Sequence, residues 1–252
     1  MHAFSMENAN SEMLHDGGAA VRRRDRITFS IVGRCVRTGQ LGVAVSTKVP
    51  AVGMLCPFAR PGVGAIATQS FVNPYLGADG LELLAQGYSA QETLDRLIAD
   101  DPGRDVRQLG VVDAQGRSAA FSGQSCVGWF GHQTGEHFTA QGNMLVGAET
   151  VEAMAAAFAT NAAADLPERL LRALEAGQAA GGDKRGRQSA ALYVVDRETA
   201  YAYRDLRVDE HPDPVAELRR VFAVAQEQLV PFLGRLPTRE TPLGHREEST
   251  AG

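Results

Sequence analysis

The sequence predicts an α+β fold in which two mainly antiparallel β-sheets lie face to face with helices outside both, a four-layer αββα sandwich. The predicted elements follow the order strands, helices, strands, helices, strands, helix, and the strands come in consecutive pairs. A doubly wound parallel sheet would instead alternate single strands with helices. The early strands are also apolar at both odd and even positions, which is typical of strands covered on both faces.

The predicted strands are short runs of β-prone residues bounded by glycine and polar turns. The first two flank a turn at Thr38-Gly39-Gln40, and two later ones form a hairpin across Asp113-Ala114-Gln115-Gly116. The last two are expected to pair across the polar segment 196–199. In chain order, the predicted strands cover residues 28–33, 41–46, 62–68, 108–113, 117–122, 190–195 and 200–204.

Capping residues and apolar periodicity predict the helices. Ser89 and Glu92 fit a capping box, in which the hydroxyl accepts one backbone N–H and the carboxylate reaches back to another. Gly177 is expected to end the fourth helix as its C-cap, and Pro214 is expected in the first turn of the last helix. The predicted helices cover residues 79–86, 89–101, 148–160, 166–176 and 214–229.

The composition excludes several classes of protein. Hydrophobic residues make up 44 % and charged residues 22 % of the 252 residues, as in an ordinary globular protein. The net charge of −5 argues against a large nucleic-acid surface. No apolar run approaches the roughly 18 residues that span a bilayer, so no membrane segment is expected. Cys35, Cys56 and Cys126 are far apart and odd in number, which argues against a disulfide framework and against a zinc site. This pattern favours a protein of the reducing cytoplasm.

The two ends of the chain differ from the central part. Residues 1–27 are polar, and their basic cluster lies at the end rather than the start, unlike a secretory signal. We interpret them as a disordered extension or a removable pro-segment. Residues 28–235 are predicted to form the folded domain, and residues 236–252 a disordered tail.

Three motifs that resemble cofactor or catalytic sites are interpreted as structural. The segment 62–67 matches the loose dinucleotide pattern G-x-G-x-x-A, but it is itself predicted to be strand, whereas the motif needs a strand-to-helix turn. His132, Glu136 and His137 offer too few ligands at an unsuitable spacing and are assigned to a surface loop. No G-x-S-x-G elbow is present, and Cys126 is expected to be buried.

The densest polar segment of the domain is 181–189, which leads directly into a predicted strand. Its glycines allow the backbone to approach a ligand closely, and a polar loop at the mouth of a strand often carries functional residues. Arg185 can hold a substrate carboxylate with its planar guanidinium group. Gln188 and Ser189 are further candidates for substrate binding.

Thr28 heads the first predicted strand of the folded domain. An N-terminal threonine can provide a hydroxyl nucleophile together with its own α-amine as general base. The pKa of such an amine lies at about 7.7–8.0, and a nearby lysine lowers it further; Lys48, at the end of the second strand, can be that lysine. The mechanism requires cleavage between Ile27 and Thr28. The structural alternative is that Thr28 is only a β-branched strand residue.

The chain from Thr28 to about Leu233 resembles a family of bacterial and archaeal proteins of unknown function, which is grouped with the N-terminal-nucleophile (Ntn) hydrolase superfamily. The most specific matching segments are 181–190 and 205–209. The other matching segments are 28–32, 41–45, 61–69, 106–113 and 141–145. The resemblance implies an Ntn-hydrolase-like αββα sandwich, which agrees with the element order.

The resemblance, together with the similar layout of proteasome β-subunits, implies catalytic roles for four residues. Thr28 would be the nucleophile, and Lys48 would tune its amine. Gln141-Gly142-Asn143 resembles a turn that carries a supporting polar residue, here Asn143. Asp183 resembles the carboxylate that orients the surroundings of the nucleophile.

The leading hypothesis is an amidohydrolase that cleaves a small or cyclic amide and needs no metal or organic cofactor. Backbone amides near Thr68 and Gln69, with Asn143, would stabilise the oxyanion. In one alternative, the same fold works without N-terminal processing, as a cyclohydrolase-type enzyme or an anion-binding protein that uses the loop 181–189. In another, the chain is a non-catalytic assembly subunit whose apolar helix face, 215–229, mediates homo-oligomerisation.

Overall fold

The computed structural model describes residues 28–182, 186–197 and 199–244. The strands are β1 (Thr28–Arg34), β2 (Leu41–Thr47), β3 (Pro57–Arg60), β4 (Gly64–Ser70), β5 (Arg107–Asp113), β6 (Ser118–Ser122), β7 (Trp129–Gly135), β8 (Phe138–Leu145), β9 (Ser189–Val195) and β10 (Arg204–Val208). They form a large sheet of order β10-β9-β2-β1-β8-β7 and a small sheet of order β3-β4-β5-β6. Neighbouring strands within each sheet are antiparallel.

Helices cover the outer face of each sheet. They are α1 (Pro74–Ala85), α2 (Ala90–Asp100), α3 (Glu149–Thr160), α4 (Leu166–Ala179), α5 (Pro214–Val224) and α6 (Val230–Leu233). α1 and α2 pack on the small sheet, whereas α3, α4 and α5 pack on the large one, and β1 and β8 face β4 and β5. The αββα sandwich predicted from the element order is therefore confirmed. No helix in the described part of the chain has both the length and the apolar character needed to cross a bilayer.

Strand β1 shows why residues at both odd and even positions of a strand are apolar in this fold. Phe29 and Ile31 belong to the core beneath the helices of the large sheet. Val32 belongs to the core between the sheets, together with Val43 and Val112. Because successive side chains of a strand point to opposite faces, a central strand covered on both sides needs apolar residues at both parities.

The predicted helix starts at Ser89 and Pro214 are confirmed. The Ser89 hydroxyl accepts the Glu92 amide at 3.2 Å, and the Glu92 carboxylate accepts the Ser89 amide at 2.8 Å. Pro214 is the first residue of α5, where its missing N–H removes no helical hydrogen bond.

Two helix boundaries differ from the prediction. α1 begins at Pro74 rather than at residue 79, since the Asn73 side chain accepts the Tyr75 amide and caps the helix there. α4 continues through Gly177 to Ala179, so the predicted C-cap at Gly177 is wrong. A Cβ atom at Gly177 would lie 2.7 Å from Met154 Cγ. This glycine therefore permits close packing of α4 on α3.

The last predicted strand is also misplaced. Pairing starts at Arg204, which lies opposite Val194, and not at residue 200. In β10 the buried residues Arg204, Leu206 and Val208 alternate with exposed ones. A one-sided edge strand of this kind lacks the continuous apolar run used to find the other strands.

The prediction missed β3, β7 and β8. His132 lies on β7 rather than in a loop, and its Nδ1 atom is 2.9 Å from Ser122 Oγ. Gln141-Gly142-Asn143 is part of β8 rather than a turn. The G-x-G-x-x-A segment was predicted to be strand from residue 62; strand β4 instead begins at Gly64, after a turn at Gly62. The segment lacks the strand-to-helix geometry of a dinucleotide site, as expected.

Candidate active site

Thr28 lies at the end of the central strand of the large sheet. Its register partners are Thr47 on β2 and Asn143 on β8. Thr28 Oγ1 lies 3.1 Å from Thr47 Oγ1, and the residue is 7 % exposed. The residue lines a cleft, so the proposed nucleophile lies beside a space that a small molecule can enter.

Buried carboxamide groups between the sheets surround the carbonyl oxygen of Thr28. Gln69 Nε2 donates to this oxygen at 3.3 Å and to Gln108 Oε1 at 2.8 Å. Asn143 Nδ2 donates to the same two oxygens, at 3.4 and 3.0 Å. Gln108 Nε2 donates in turn to the Gly142 carbonyl oxygen at 2.8 Å. The backbone of Thr28 is therefore held by two amides, both of which are oriented by Gln108.

A second chain of hydrogen bonds joins the two sheets at Ser30, two residues further along β1. Gln141 Nε2 donates to Ser30 Oγ at 2.7 Å, and Ser30 Oγ donates to Gln69 Oε1 at 2.7 Å. Gln141 Oε1 and Asn143 Oδ1 are buried and have no hydrogen-bond partner among the described residues. Buried polar atoms are usually paired, so this region between the sheets retains unused acceptor capacity next to Thr28.

The cleft beside Thr28 has a volume of about 690 Å³. Its polar lining residues are Thr28, Thr47, Lys48, Thr68, Gln69 and Ser70. Its other lining residues are Val49, Pro50, Val52, Leu55, Cys56, Phe71, Val72 and Pro74. A concave, mostly apolar site with a few polar groups is the usual form of a small-molecule site.

The cleft brings together four of the residues proposed from the sequence: Thr28, Lys48, Thr68 and Gln69. Lys48 Nζ donates to the carbonyl oxygen of Arg187 at 3.2 Å. This bond links Lys48 to the segment that leads into strand β9. Asn143 lies behind Thr28, where its amide reaches the backbone of that residue.

Gln188 and Ser189 do not line the cleft but form hydrogen bonds with residues that do. Ser189 Oγ donates to the Val49 carbonyl oxygen at 2.5 Å and accepts the Val52 amide at 3.2 Å. The Gln188 backbone amide donates to the Thr47 carbonyl oxygen at 2.9 Å. Asp183 and Arg185, the remaining predicted site residues, lie outside the described residues.

Two of the predicted oxyanion donors, the Thr68 amide and the Asn143 side chain, are already engaged. The Thr68 amide donates to the Cys56 carbonyl oxygen at 3.1 Å, and the Thr68 hydroxyl donates to the Asn73 carbonyl oxygen at 3.2 Å. Asn143 Nδ2 is shared between Gln108 and Thr28. Thr68 and Asn143 therefore shape and hold the site in this structure.

Backbone strain is concentrated around the same cleft. Ser70 and Met144 directly follow Gln69 and Asn143, and their φ angles are 67° and 50°. Ala51, in the loop after Lys48, has a φ angle of 56°. Non-glycine residues rarely adopt positive φ, and those that do tend to occur at functional sites.

Ser30, Gln108 and Gln141 were not recognised from the sequence as parts of the site. One signal was available, because Thr28 and Ser30, like Gln141 and Asn143, are two residues apart on a strand and share a face. Polar residues at period two within otherwise apolar strands indicate a buried polar layer. Which strands contribute to that layer depends on how the sheets stack.

The architecture is a four-layer αββα sandwich, with a threonine at the head of a central strand and an adjoining cleft. The chain belongs to the family of unknown function DUF1028, whose model matches residues 28–218. This agrees with the family of unknown function indicated by the sequence motifs.

Solved structures resemble the chain to different degrees. The crystal structure of protein SPO2555 from Silicibacter pomeroyi, of the same family, is 28 % identical, with a TM-score of 0.80, and the match covers 88 % of this chain and 100 % of that one. Anbu (ancestral beta-subunit) from Yersinia bercovieri matches at 14 % identity and a TM-score of 0.35, over 83 % and 98 % of the two chains. An Anbu mutant from Hyphomicrobium matches at 12 % identity and a TM-score of 0.36, over 81 % and 97 %. None of the curated proteins matches the chain.

Proposed function

We propose that this protein is an Ntn-type amidohydrolase that cleaves a small or cyclic amide with Thr28 as the nucleophile. The proposal depends on one observation: Thr28 heads the central strand and shares a cleft with Lys48. Cleavage of the chain between Ile27 and Thr28 would turn the Thr28 nitrogen into a free α-amine. The hydroxyl and the amine of one residue would then supply both the nucleophile and the base.

The proposed reaction proceeds through an ester intermediate. The Thr28 amine takes the proton from Oγ1 while Oγ1 attacks the carbonyl carbon of the amide. The C–N bond then breaks, and the same proton passes to the departing nitrogen. In the second half, the amine takes a proton from water, the hydroxide attacks the ester, and the proton returns to Oγ1 as the acid product leaves.

Lys48 is proposed to tune the amine. A positive charge nearby disfavours protonation of the amine and lowers its pKa, so more of it is the free base at neutral pH. The hydrogen bond from Lys48 Nζ to the Arg187 carbonyl oxygen supports a fixed position for this charge.

Gln69 and Asn143 are proposed to position Thr28. Both donate to its carbonyl oxygen and fix the first peptide unit of β1, from which the hydroxyl and the amine project. Asp183 and Arg185 remain proposed pocket residues: the first would orient the site and the second would bind a substrate carboxylate.

We also propose that the protein works in the cytoplasm as a homo-oligomer. The three cysteines, all free, fit a reducing compartment. The end of the last helical segment exposes Val224, Leu229 and Phe232, with Phe232 56 % exposed. Neighbouring exposed apolar side chains favour a contact with a second subunit.

Cleavage and catalysis are tested together. Intact-mass measurement and N-terminal sequencing of the full chain should find a species that begins at Thr28. In that species, Thr28→Val keeps the side-chain shape but removes the hydroxyl, and it should lower kcat on responsive amides by at least about 10³-fold.

Thr150→Val is the matched control. Thr150 is a buried threonine in α3 whose hydroxyl has no partner among the described residues, so its loss should leave kcat unchanged. Unreduced activity of Thr28→Val, or activity in a chain that is never cut before Thr28, would contradict the proposal.

A further inference from the structure

The cleft beside Thr28 is polar on one side and apolar on the other. Its polar side is formed by hydroxyl and carboxamide groups around Thr28. Its apolar side includes Val52, Leu55 and Phe71. Among the described residues that line the cleft, Lys48 is the only charged one, and none of them carries a carboxylate. A ligand with a cationic group would therefore meet a like charge, with no counter-charge among the described residues of the lining.

Cys56 extends the apolar side into the depth of the cleft. It is 2 % exposed, and burial raises the pKa of its thiol to about 12. The thiol therefore stays neutral at physiological pH, and a neutral buried cysteine behaves as a small apolar residue. Its position makes it a wall of the cleft and not a competing nucleophile.

The apolar side is fixed before any ligand binds. The Ala51 amide donates to the Asp209 carbonyl oxygen at 2.9 Å, and Ser189 bridges Val49 and Val52. A Cβ atom at Gly53 would lie 2.8 Å from the side chain of Ala191, so this turn packs directly on β9. A preformed wall lowers the ordering cost of binding and makes the shape of the cleft selective.

The apolar side is partly open to solvent. Phe71 lines the cleft and is 44 % exposed, so a ligand can reach this side from outside.

We propose that the amide substrate carries an uncharged aliphatic or aromatic acyl group, which fills the apolar side of the cleft against Val52, Leu55 and Phe71. The volume of about 690 Å³ is that of a site for a small molecule and exceeds what a formyl or acetyl group needs. The statement that this acyl group belongs to a substrate rests on the proposed amidohydrolase function. The statement that the cleft binds such a group does not.

The test uses binding to the full chain carrying Thr28→Ala, in which no nucleophile is present. The ligands are neutral N-acyl glycinamides with acetyl, butanoyl, hexanoyl and octanoyl groups, measured by isothermal titration calorimetry. Affinity should rise by about fourfold for each methylene until the cleft is filled. A 6-aminohexanoyl ligand, with a cationic end, should bind at least tenfold more weakly than the hexanoyl ligand.

Variants of the wall identify the site. Leu55→Asp should abolish the dependence on chain length, and Leu55→Ala should reduce it while keeping an apolar wall. Met54→Asp is the matched control, since Met54 is adjacent in the chain but is not part of the lining. Thermal unfolding checks that each variant is folded.

Two results would overturn the inference: affinity that does not depend on acyl length, or a length dependence that persists in both Leu55 variants. Hydrolysis plays no part in this measurement. If chain-length-dependent binding is found while the chain that begins at Thr28 cleaves none of these amides, the apolar site stands and the amidohydrolase proposal fails.

Discussion

Gln108 organises the carboxamide groups around Thr28, although no hydrogen bond among the described residues joins it to Thr28. Its Oε1 accepts hydrogen bonds from both Gln69 and Asn143, and its Nε2 donates to Gly142. Each buried polar group left without a partner costs about 1–3 kcal/mol. We therefore expect Gln108→Leu to lower the free energy of unfolding by roughly 3 kcal/mol, as measured by urea denaturation.

Gln133→Leu is the control for this change. Gln133 is an exposed residue of β7, and surface substitutions usually change stability by no more than about 0.5 kcal/mol. If Gln108→Leu were no more destabilising than Gln133→Leu, the carboxamide groups would not depend on Gln108.

Single residues of the site were predictable to different degrees. Thr28 and Lys48 could be proposed together because the chemistry of an N-terminal threonine needs a free α-amine, and a nearby cation lowers the pKa of that amine. Gln108 could not, since its role arises from contacts with β4 and β8, which are distant in the sequence. The hydrogen bond from the Thr68 amide to the Cys56 carbonyl oxygen could not be predicted either, because it forms only once the loop before β3 is folded.

At the level of elements, the end of α2 is tied to the start of β5 and to the cleft wall. The Asp101 carboxylate, on a residue 6 % exposed, accepts Arg107 Nε at 2.8 Å and the Gly103 amide at 2.9 Å. Arg107 Nη1 donates at 2.6 Å to the carbonyl oxygen of Phe71, a residue of the cleft wall. This link joins helix, strand and site.

The link should depend on pH. Burial raises the pKa of Asp101, but the hydrogen bonds from Arg107 and Gly103 outweigh it and hold the pKa below the ordinary value. The carboxylate therefore stabilises the fold fully above about pH 5, and this stabilisation is lost as pH falls through the folded pKa. Asp101→Asn should lower the free energy of unfolding by about 2 kcal/mol at pH 7, and by less at pH 3.

The exposed helix residue Asp95 provides the comparison. Asp95→Asn should change stability by no more than about 0.5 kcal/mol at either pH, as measured by urea denaturation. A deficit of Asp101→Asn that is the same at pH 7 and pH 3 would show that the charge of Asp101 is not what stabilises this link.

Element boundaries show where local patterns are sufficient. The capping box at Ser89 acts within four residues, and it was predicted correctly. Gly177 looks like a helix end in the sequence, but the reason for its glycine is the contact of α4 with Met154 of α3. β10 was misplaced because an edge strand buries only alternate residues, which leaves a weak signal in a short segment.

At the scale of the whole molecule, the space between the sheets is divided into two parts. One part is apolar and includes Val32, Val43 and Val112. The other contains the carboxamide groups of Gln108 and Gln141 next to the start of β1. The element order predicted the sandwich itself, because few arrangements cover both faces of two antiparallel sheets. The division was not predictable, since it depends on which strand ends meet across the sandwich.

The two sheets approach each other closely where Gly110 of β5 faces β8. A Cβ atom at this position would lie 2.3 Å from Thr139 Oγ1 and 2.4 Å from Gln141 Oε1. Gly110→Ala should therefore force the sheets or these side chains apart and lower the free energy of unfolding by about 2–3 kcal/mol, as measured by urea denaturation. Gly234→Ala, where the nearest atom would be 3.6 Å away, should be neutral or slightly stabilising.

A double-mutant cycle separates this steric effect from a general loss of stability. Thr139 Oγ1 is buried without a hydrogen-bond partner among the described residues, so Thr139→Ala removes one of the two close contacts without breaking a described hydrogen bond. Gly110→Ala should then cost less in the Thr139→Ala background, with a coupling of about 1 kcal/mol. Strictly additive losses would mean that the sheets are free to separate at this point. The close approach would then not be what holds Gln141 and Ser30 in register beside Thr28.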